Sequence, residues 1–270
     1  MSKVAVVTGS TKGLGRGLAA ELLARGHRVA IVSPNGEDSA SVARELGEGA
    51  AGFGCDVTDL AQVQALWDRA ADRFGGIDLW INNAGLALTG AALVDLPSDD
   101  FRRMLDINVL GTMHGCQVAV KGMRAKGGAV YNVFGAGSDG RPVDHMIGYS
   151  TTKRAVQFLT RSLVEEVRGL PVLVGAISPG LVMTDGFLRE HARLPHGPER
   201  AARERWVNVI GDHVETLAAW ACDIFETNGE HGAVFEWLSP EKIAARQRDE
   251  PQRDVLSRYL GANPRSILHL

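Results

Sequence analysis

VVTGSTKGLGRGLA, residues 6–19, decides how the chain folds. A β-branched run ends at Thr8, three glycines follow at positions 9, 13 and 15, and apolar residues then recur at helical spacing from Leu14. A strand that turns into a helix through glycines lets backbone N–H groups approach a ligand closely, and the helix N-terminus behind them favours a pyrophosphate. The same turn also suits a tight strand–helix junction with nothing bound. Outward from it the rhythm repeats: Arg28–Val32, Ala51–Val57, Ile77–Asn82, Ala129–Val133, Pro171–Ile177 and Gly232–Leu238 read as strands. Helical segments are expected at Leu14–Arg25, Asp38–Leu46, Leu60–Phe74, Asp99–Met123, Tyr149–Val167 and Asp212–Phe225. Valine- and isoleucine-rich strands alternating with helices predict an α/β fold, a parallel sheet covered on both faces, with the glycine turn at a first βα junction where dinucleotides bind.

The 270 residues suit one large domain, and 45% hydrophobic residues supply a sizeable core. A net charge of −3 gives no general pull toward nucleic acid or anionic lipid. The opening MSKVAVVTG lacks the apolar stretch of a signal peptide, and no run is long enough to cross a bilayer. Cys55, Cys116 and Cys222 stand far apart and near no histidine cluster, so neither a disulfide framework nor a metal site is expected, and the cytoplasm is the natural compartment. Between Thr184 and Asn208 the periodicity dissolves into charged residues with Pro195 and Pro198; this stretch reads as a substrate lid within a domain spanning 1–240. Residues 241–270 form a polar tail.

The second strand ends VAIVSPN, with Ser33 where a carboxylate would accept ribose hydroxyls and repel a 2′-phosphate. Lys12 and Arg16 flank the last two glycines of the turn. Two cations and a hydroxyl favour NADP(H) over NAD(H), although solvated surface charge would account for the cations as well. Farther along, Tyr149 and Lys153 lie one helical turn apart and point the same way. A phenol beside a cation suits reversible proton transfer to a carbonyl oxygen.

TGSTKGLG (8–15), CDV (55–57), NNAG (82–85), DINVLG (106–111), YSTTK (149–153) and SPGLVMT (178–184) occur in that order. Together they resemble the short-chain dehydrogenase/reductase family over about residues 3–240. The resemblance implies a Rossmann-type, doubly wound sheet of seven parallel strands and an oxidoreductase that reversibly reduces an aldehyde or ketone to an alcohol. It implies Tyr149 as general acid, Lys153 as the cation that lowers the tyrosine pKa and holds the nicotinamide ribose, and Asn108 in a proton-relay water chain. Gly9, Ser10, Thr11, Lys12, Gly13, Leu14 and Gly15 would cradle the cofactor, with Ser33 at its 2′-position. Asp56 and Val57 would line the adenine and Asn83, Ala84 and Gly85 the middle of the cofactor. Pro179, Gly180, Val182 and Thr184 would face the nicotinamide. A homo-oligomer paired through Asp99–Met123 and Tyr149–Val167 is also implied, and a small-molecule carbonyl or alcohol is the expected partner.

One member departs from the pattern. The family's strand usually ends like NISS, with a catalytic serine three residues after the asparagine; here Asn132 is followed by Val133, Phe134 and Gly135. Ser138 is the only hydroxyl side chain between Asn132 and Gly148 and is the candidate for that role; the alternative is that Ser138–Asp139 is only a turn, with backbone groups polarising the substrate instead. The run GAGSDGRP (135–142) resembles chlorophyll b reductases and their bacterial relatives, as do WINNAG, YSTTKR and FEWLSPEKI. Phe134 stands where those enzymes tend to carry aspartate. Two readings of function follow: a reductase of the kind above, formyl groups on tetrapyrroles included, or a cofactor-binding sensor without catalysis, a kind of protein that typically loses the tyrosine or lysine kept here.

Overall fold

Val4–Thr8 (β1) is buried along its whole length, and its side chains alternate between two cores. Ala5 and Val7 face one, Val4 and Val6 the other, as the period of two along a strand requires. The chain, a computed structural model describing residues 2–192, 197–249 and 253–260, continues through α1 (Gly13–Ala24), β2 (Arg28–Ser33), α2 (Gly36–Leu46), β3 (Ala50–Gly54), α3 (Leu60–Phe74) and β4 (Leu79–Asn82). A short 3-10 turn at Leu93–Asp95 precedes α4 (Ser98–Met104), one π-helical turn at Leu105–Leu110, α5 (Gly111–Met123), β5 (Gly128–Val133) and α6 (Ile147–Glu166). Then come β6 (Val172–Ser178), β7 (Leu181–Val182), α7 (Asp185–Ala192), α8 (Pro198–Ile210), β8 (Gly211–Asp212), α9 (Val214–Thr227), β9 (Val234–Glu236), α10 (Pro240–Asp249) and α11 (Ser257–Leu260).

Seven of the strands form one parallel sheet in the order β3-β2-β1-β4-β5-β6-β9. Leu18, Leu22, Val42, Leu217 and Phe225 cover one face from α1, α2 and α9. Val63, Leu66, Cys116, Ala119 and Met123 cover the other from α3 and α5. This is the doubly wound Rossmann-type arrangement. The strand order reverses between β1 and β4, which opens a crevice at their C-terminal ends.

The structure differs from the sequence reading in two places. The helix expected over Asp99–Met123 is continuous but widened by its π turn, which adds a residue without disturbing the apolar pattern. The stretch 184–208 is mostly helical, with Pro198 in the first turn of α8; Arg193 and Pro195 lie outside the described residues. The described part of the polar tail carries α10 and α11 and is tied to the domain. Buried Asp212 accepts from Trp237 Nε1 at 2.5 Å and pairs with Arg246 at 2.9 Å and with Arg253. Asn208 Oδ1 accepts the N–H groups of Val255 and Leu256 at 2.9 and 3.0 Å. Val255 and Leu256 complete a small core with Met183 and Val207.

Candidate active site

The glycine turn is shaped for an anion. Gly9 has φ +65°, and Gly15 has no room for a side chain, since a Cβ there would lie 2.3 Å from Gly9 O and 2.4 Å from Asn83 Nδ2. Lys12 is the N-cap of α1 and makes no side-chain capping bond, whereas Asn35 and Asp59 cap α2 and α3. The first turn of α1 therefore keeps its N–H groups for another acceptor. A pyrophosphate cradle fits these residues. Asn83 fastens the cradle from β4: its Nδ2 donates to Thr8 O at 2.9 Å and Gly9 O at 3.2 Å, and Thr8 Oγ1 accepts the Asn83 and Ala84 N–H groups at 3.0 Å. The Thr184 methyl closes the other side, 3.2 Å from where Gly13 would carry a Cβ.

Other residues named from the sequence have work within the fold. Ser10 is buried; its hydroxyl donates to Val7 O at 2.7 Å and accepts from Val32 N at 2.8 Å, tying β1 to β2. Leu14 belongs to the core and offers only its backbone to a ligand. The Ser33 hydroxyl donates to Asn35 O at 2.8 Å and meets Ser39 Oγ at 2.9 Å. Arg16 pairs with Glu45 at 3.1 Å, while Lys12 and Thr11 stand at the surface of the turn, Lys12 exposed. Asp56 Oδ1 accepts from the N–H and hydroxyl of Thr58 at 2.9 and 2.8 Å, and Val57 packs against Gly111. Gly180 lies against Leu238 in the turn after Pro179, and Val182 pairs with Asp212 between β7 and β8.

Beyond the crevice, the polar ends of Asn108 and Lys153 meet beside Gly85. A Cβ there would lie 3.4 Å from Asn108 Oδ1 and 3.8 Å from Lys153 Nζ. Asn108, buried in the π turn, accepts Leu86 N–H at 2.7 Å and donates to Leu86 O and to Thr152 Oγ1, each at 2.9 Å. Thr152, which the sequence reading passed over, donates in turn to Tyr149 O at 2.7 Å. Lys153 Nζ donates to Val133 O at 2.9 Å and stands 5.7 Å from the Tyr149 ring centre. Burial pushes the Tyr149 phenol up to about 12 and the Lys153 ammonium down to about 8. The upward direction of the phenol is the reverse of the one that the resemblance implies, and burial is its cause.

Below these groups, Asn82 Nδ2 donates to Asn132 Oδ1 and Asn132 Nδ2 to Thr160 Oγ1, both at 2.8 Å. Asparagines inside two apolar strands were the available sequence signal for that brace. Ser138 is buried, and its hydroxyl bonds no protein group among the described residues. Phe134 is buried with Val109, Val156 and Ala176, inside the core rather than in the crevice. No group of metal-ligating side chains occurs among the described residues, and no helix among them is long and apolar enough to cross a membrane.

Comparison with known proteins agrees with this fold. Chlorophyll(ide) b reductase NOL of Oryza sativa subsp. japonica is 41% identical over 224 residues, covering 79% of this chain and 63% of that protein. The Arabidopsis thaliana NOL protein is 36% identical over 225 residues, covering 80% and 63%. This chain thus spans less than two thirds of the length of either. Carbonyl reductase family member 4 of Danio rerio is 35% identical over 190 residues, 68% of this chain and 78% of that one. Among solved structures, ElxO with NADP bound superposes with a TM-score of 0.77 at 25% identity, covering 87% of this chain and 97% of that one. Residues 3–193 match the short chain dehydrogenase family. With the ordered motifs, the seven-stranded sheet and the tyrosine–lysine pair on α6, the chain belongs to the short-chain dehydrogenase family.

Proposed function

We propose that the chain is an NADPH-dependent reductase that turns an aldehyde or ketone into an alcohol, and runs in reverse as an alcohol dehydrogenase. The observation that carries this reading is the meeting of Lys153 and Asn108 beside Gly85, with the Tyr149 ring centre 5.7 Å from Lys153 Nζ. When bound, the nicotinamide cofactor supplies or accepts the hydride. Gly9, Ser10, Thr11, Lys12, Gly13, Leu14 and Gly15 hold its phosphates, largely by backbone. Asp56 and Val57 border the adenine; Asn83, Ala84 and Gly85, with Pro179, Gly180, Val182 and Thr184, border the remainder. Tyr149 gives its proton to the substrate's carbonyl oxygen. Lys153 keeps a positive charge beside the phenol and favours its ionised form in the reverse direction. Asn108 fixes the π turn and the loop at Leu86. Ser138, a buried residue whose hydroxyl bonds no protein group among the described residues, fits a second hydrogen bond to the same carbonyl oxygen.

For the cofactor, exposed Lys12 supports the phosphorylated form, whereas the hydrogen bonds of Ser33 and the Glu45 partner of Arg16 leave those two a smaller part. The segment 184–208 serves as lid. Phe158, 70% exposed on α6, supports a homo-oligomer paired along that helix. Three buried thiols without disulfides fit a reducing compartment such as the cytoplasm. A second, narrower reading is supported by GAGSDGRP and the 41% identity: the substrate carbonyl is a formyl group on a large tetrapyrrole.

The test is NADPH oxidation against a panel of aldehydes and ketones that includes a formyl tetrapyrrole. Turnover of at least one carbonyl with NADPH, faster than with NADH, is expected. Tight NADPH binding with no turnover of any member would favour a cofactor-binding sensor.

A further inference from the structure

Where β5 ends, Gly135 lies directly against the phenol of Tyr149. A Cβ on Gly135 would stand 2.3 Å from Tyr149 Oη, 3.1 Å from its Cζ and 3.3 Å from Lys153 Cγ. Packed atoms do not approach so closely, so the tyrosine hydroxyl fills the volume that a side chain at 135 would take. The backbone itself makes no such demand: Gly135 is absent from the positive-φ residues, unlike Gly137 and Gly140 in the same loop. Glycine is required at 135 by space alone.

The loop then leaves this row of α6 for the neighbouring one. Gly137 packs on Ser150, with a Cβ position 2.4 Å from Ser150 Cβ, and Ser138 O accepts from Arg154 at 3.0 Å. Ser150 and Arg154 are themselves one helical turn apart, beside the Tyr149–Lys153 row. Of the loop's glycines, therefore, it is Gly135 that borders the phenol, at the position where the family's pattern places a serine.

We infer that Gly135 is a positioning residue for Tyr149: the missing side chain seats the phenol against the end of β5, and a serine restored there would displace it. This rests on the reductase reading, in which Tyr149 is the proton donor. The consequence runs against the family pattern, because Gly135→Ser should impair the enzyme rather than complete it.

The experiment compares Gly135→Ala, Gly135→Ser and Tyr149→Phe in the full chain, using NADPH and a carbonyl that the unmodified protein reduces. Both Gly135 variants should lose about a hundredfold in kcat, the scale of a misplaced reacting group, while NADPH affinity by titration stays within about twofold. A stability readout stands apart from catalysis. Gly135→Ala should lower Tm in the unmodified background and lower it much less when combined with Tyr149→Phe, because the colliding oxygen is gone. Wild-type kcat in Gly135→Ser, or the same loss of Tm in both backgrounds, would overturn the inference. If Tyr149→Phe alone retained full turnover, the reductase reading would fall instead, while the Tm comparison would still decide the packing of Gly135.

Discussion

The Lys153 ammonium donates to the carbonyl oxygen of Val133 at 2.9 Å, so the cation of the site is anchored to the end of β5. Its burial has a measurable consequence. The pKa falls to about 8 from an ordinary 10.5, because removal from water disfavours the charged form. Between those values the unfolded chain holds a proton that the folded chain has released, so this group makes the protein more stable as pH rises through the window. The whole span corresponds to about 3 kcal/mol. Tyr149 acts in the opposite sense at higher pH: its folded pKa of about 12 exceeds the ordinary 10, and stability is lost as pH climbs past 10. Denaturant titrations of the unmodified protein and of Lys153→Met, at pH values from neutral to about 10, isolate the lysine. The difference between the two should move in favour of the unmodified chain as pH rises; a difference independent of pH would count against the buried, perturbed lysine.

Much of this was legible beforehand, for identifiable reasons. The sheet could be read because its strands, buried on both faces, are continuous apolar runs, and because glycines 9, 13 and 15 mark the first junction. Tyr149 and Lys153 could be paired because four residues make a helical turn. The π turn at Asn108 could not, since one inserted residue in a helix leaves the apolar pattern intact. Helix α8 was hidden for another reason: it is rich in Arg and Glu, and its stability comes from distant partners, Val255 and Leu256 against Val207. The consumption of the Ser33 hydroxyl by Asn35 and Ser39 depends on a turn geometry that residue types alone do not encode.

Cofactor choice is tested at Lys12, the exposed cation that caps α1. On the proposed NADPH reading its loss would remove a charge-assisted bond to a 2′-phosphate, about 1.5 kcal/mol, or roughly tenfold in affinity. Lys12→Ala should therefore raise the KM for NADPH by about that factor and leave the KM for NADH nearly unchanged. Equal effects on both cofactors would move the discrimination elsewhere.

Asp212 is tested by its partners. Its carboxylate is buried between Trp237, Arg246 and Arg253, and its backbone oxygen accepts Met183 N–H at 3.0 Å. Asp212→Ala leaves buried guanidinium charge without its counter-ion, a loss on the order of 3–5 kcal/mol. The amides of Val255 and Leu256 should exchange with deuterium faster as the tail loosens. Unchanged exchange at both, with unchanged stability, would mean that the tail is held by its apolar contacts alone.

In the proposed reaction Tyr149 delivers the proton to a substrate carbonyl. Single-turnover reduction of an aldehyde by the protein preloaded with NADPH, in the unmodified chain and in Tyr149→Phe, measures that step directly. Loss of a general acid should slow reduction at least about a hundredfold, with NADPH affinity within about twofold of normal. A Tyr149→Phe protein that still reduces the aldehyde at more than about a tenth of the unmodified rate would contradict the account.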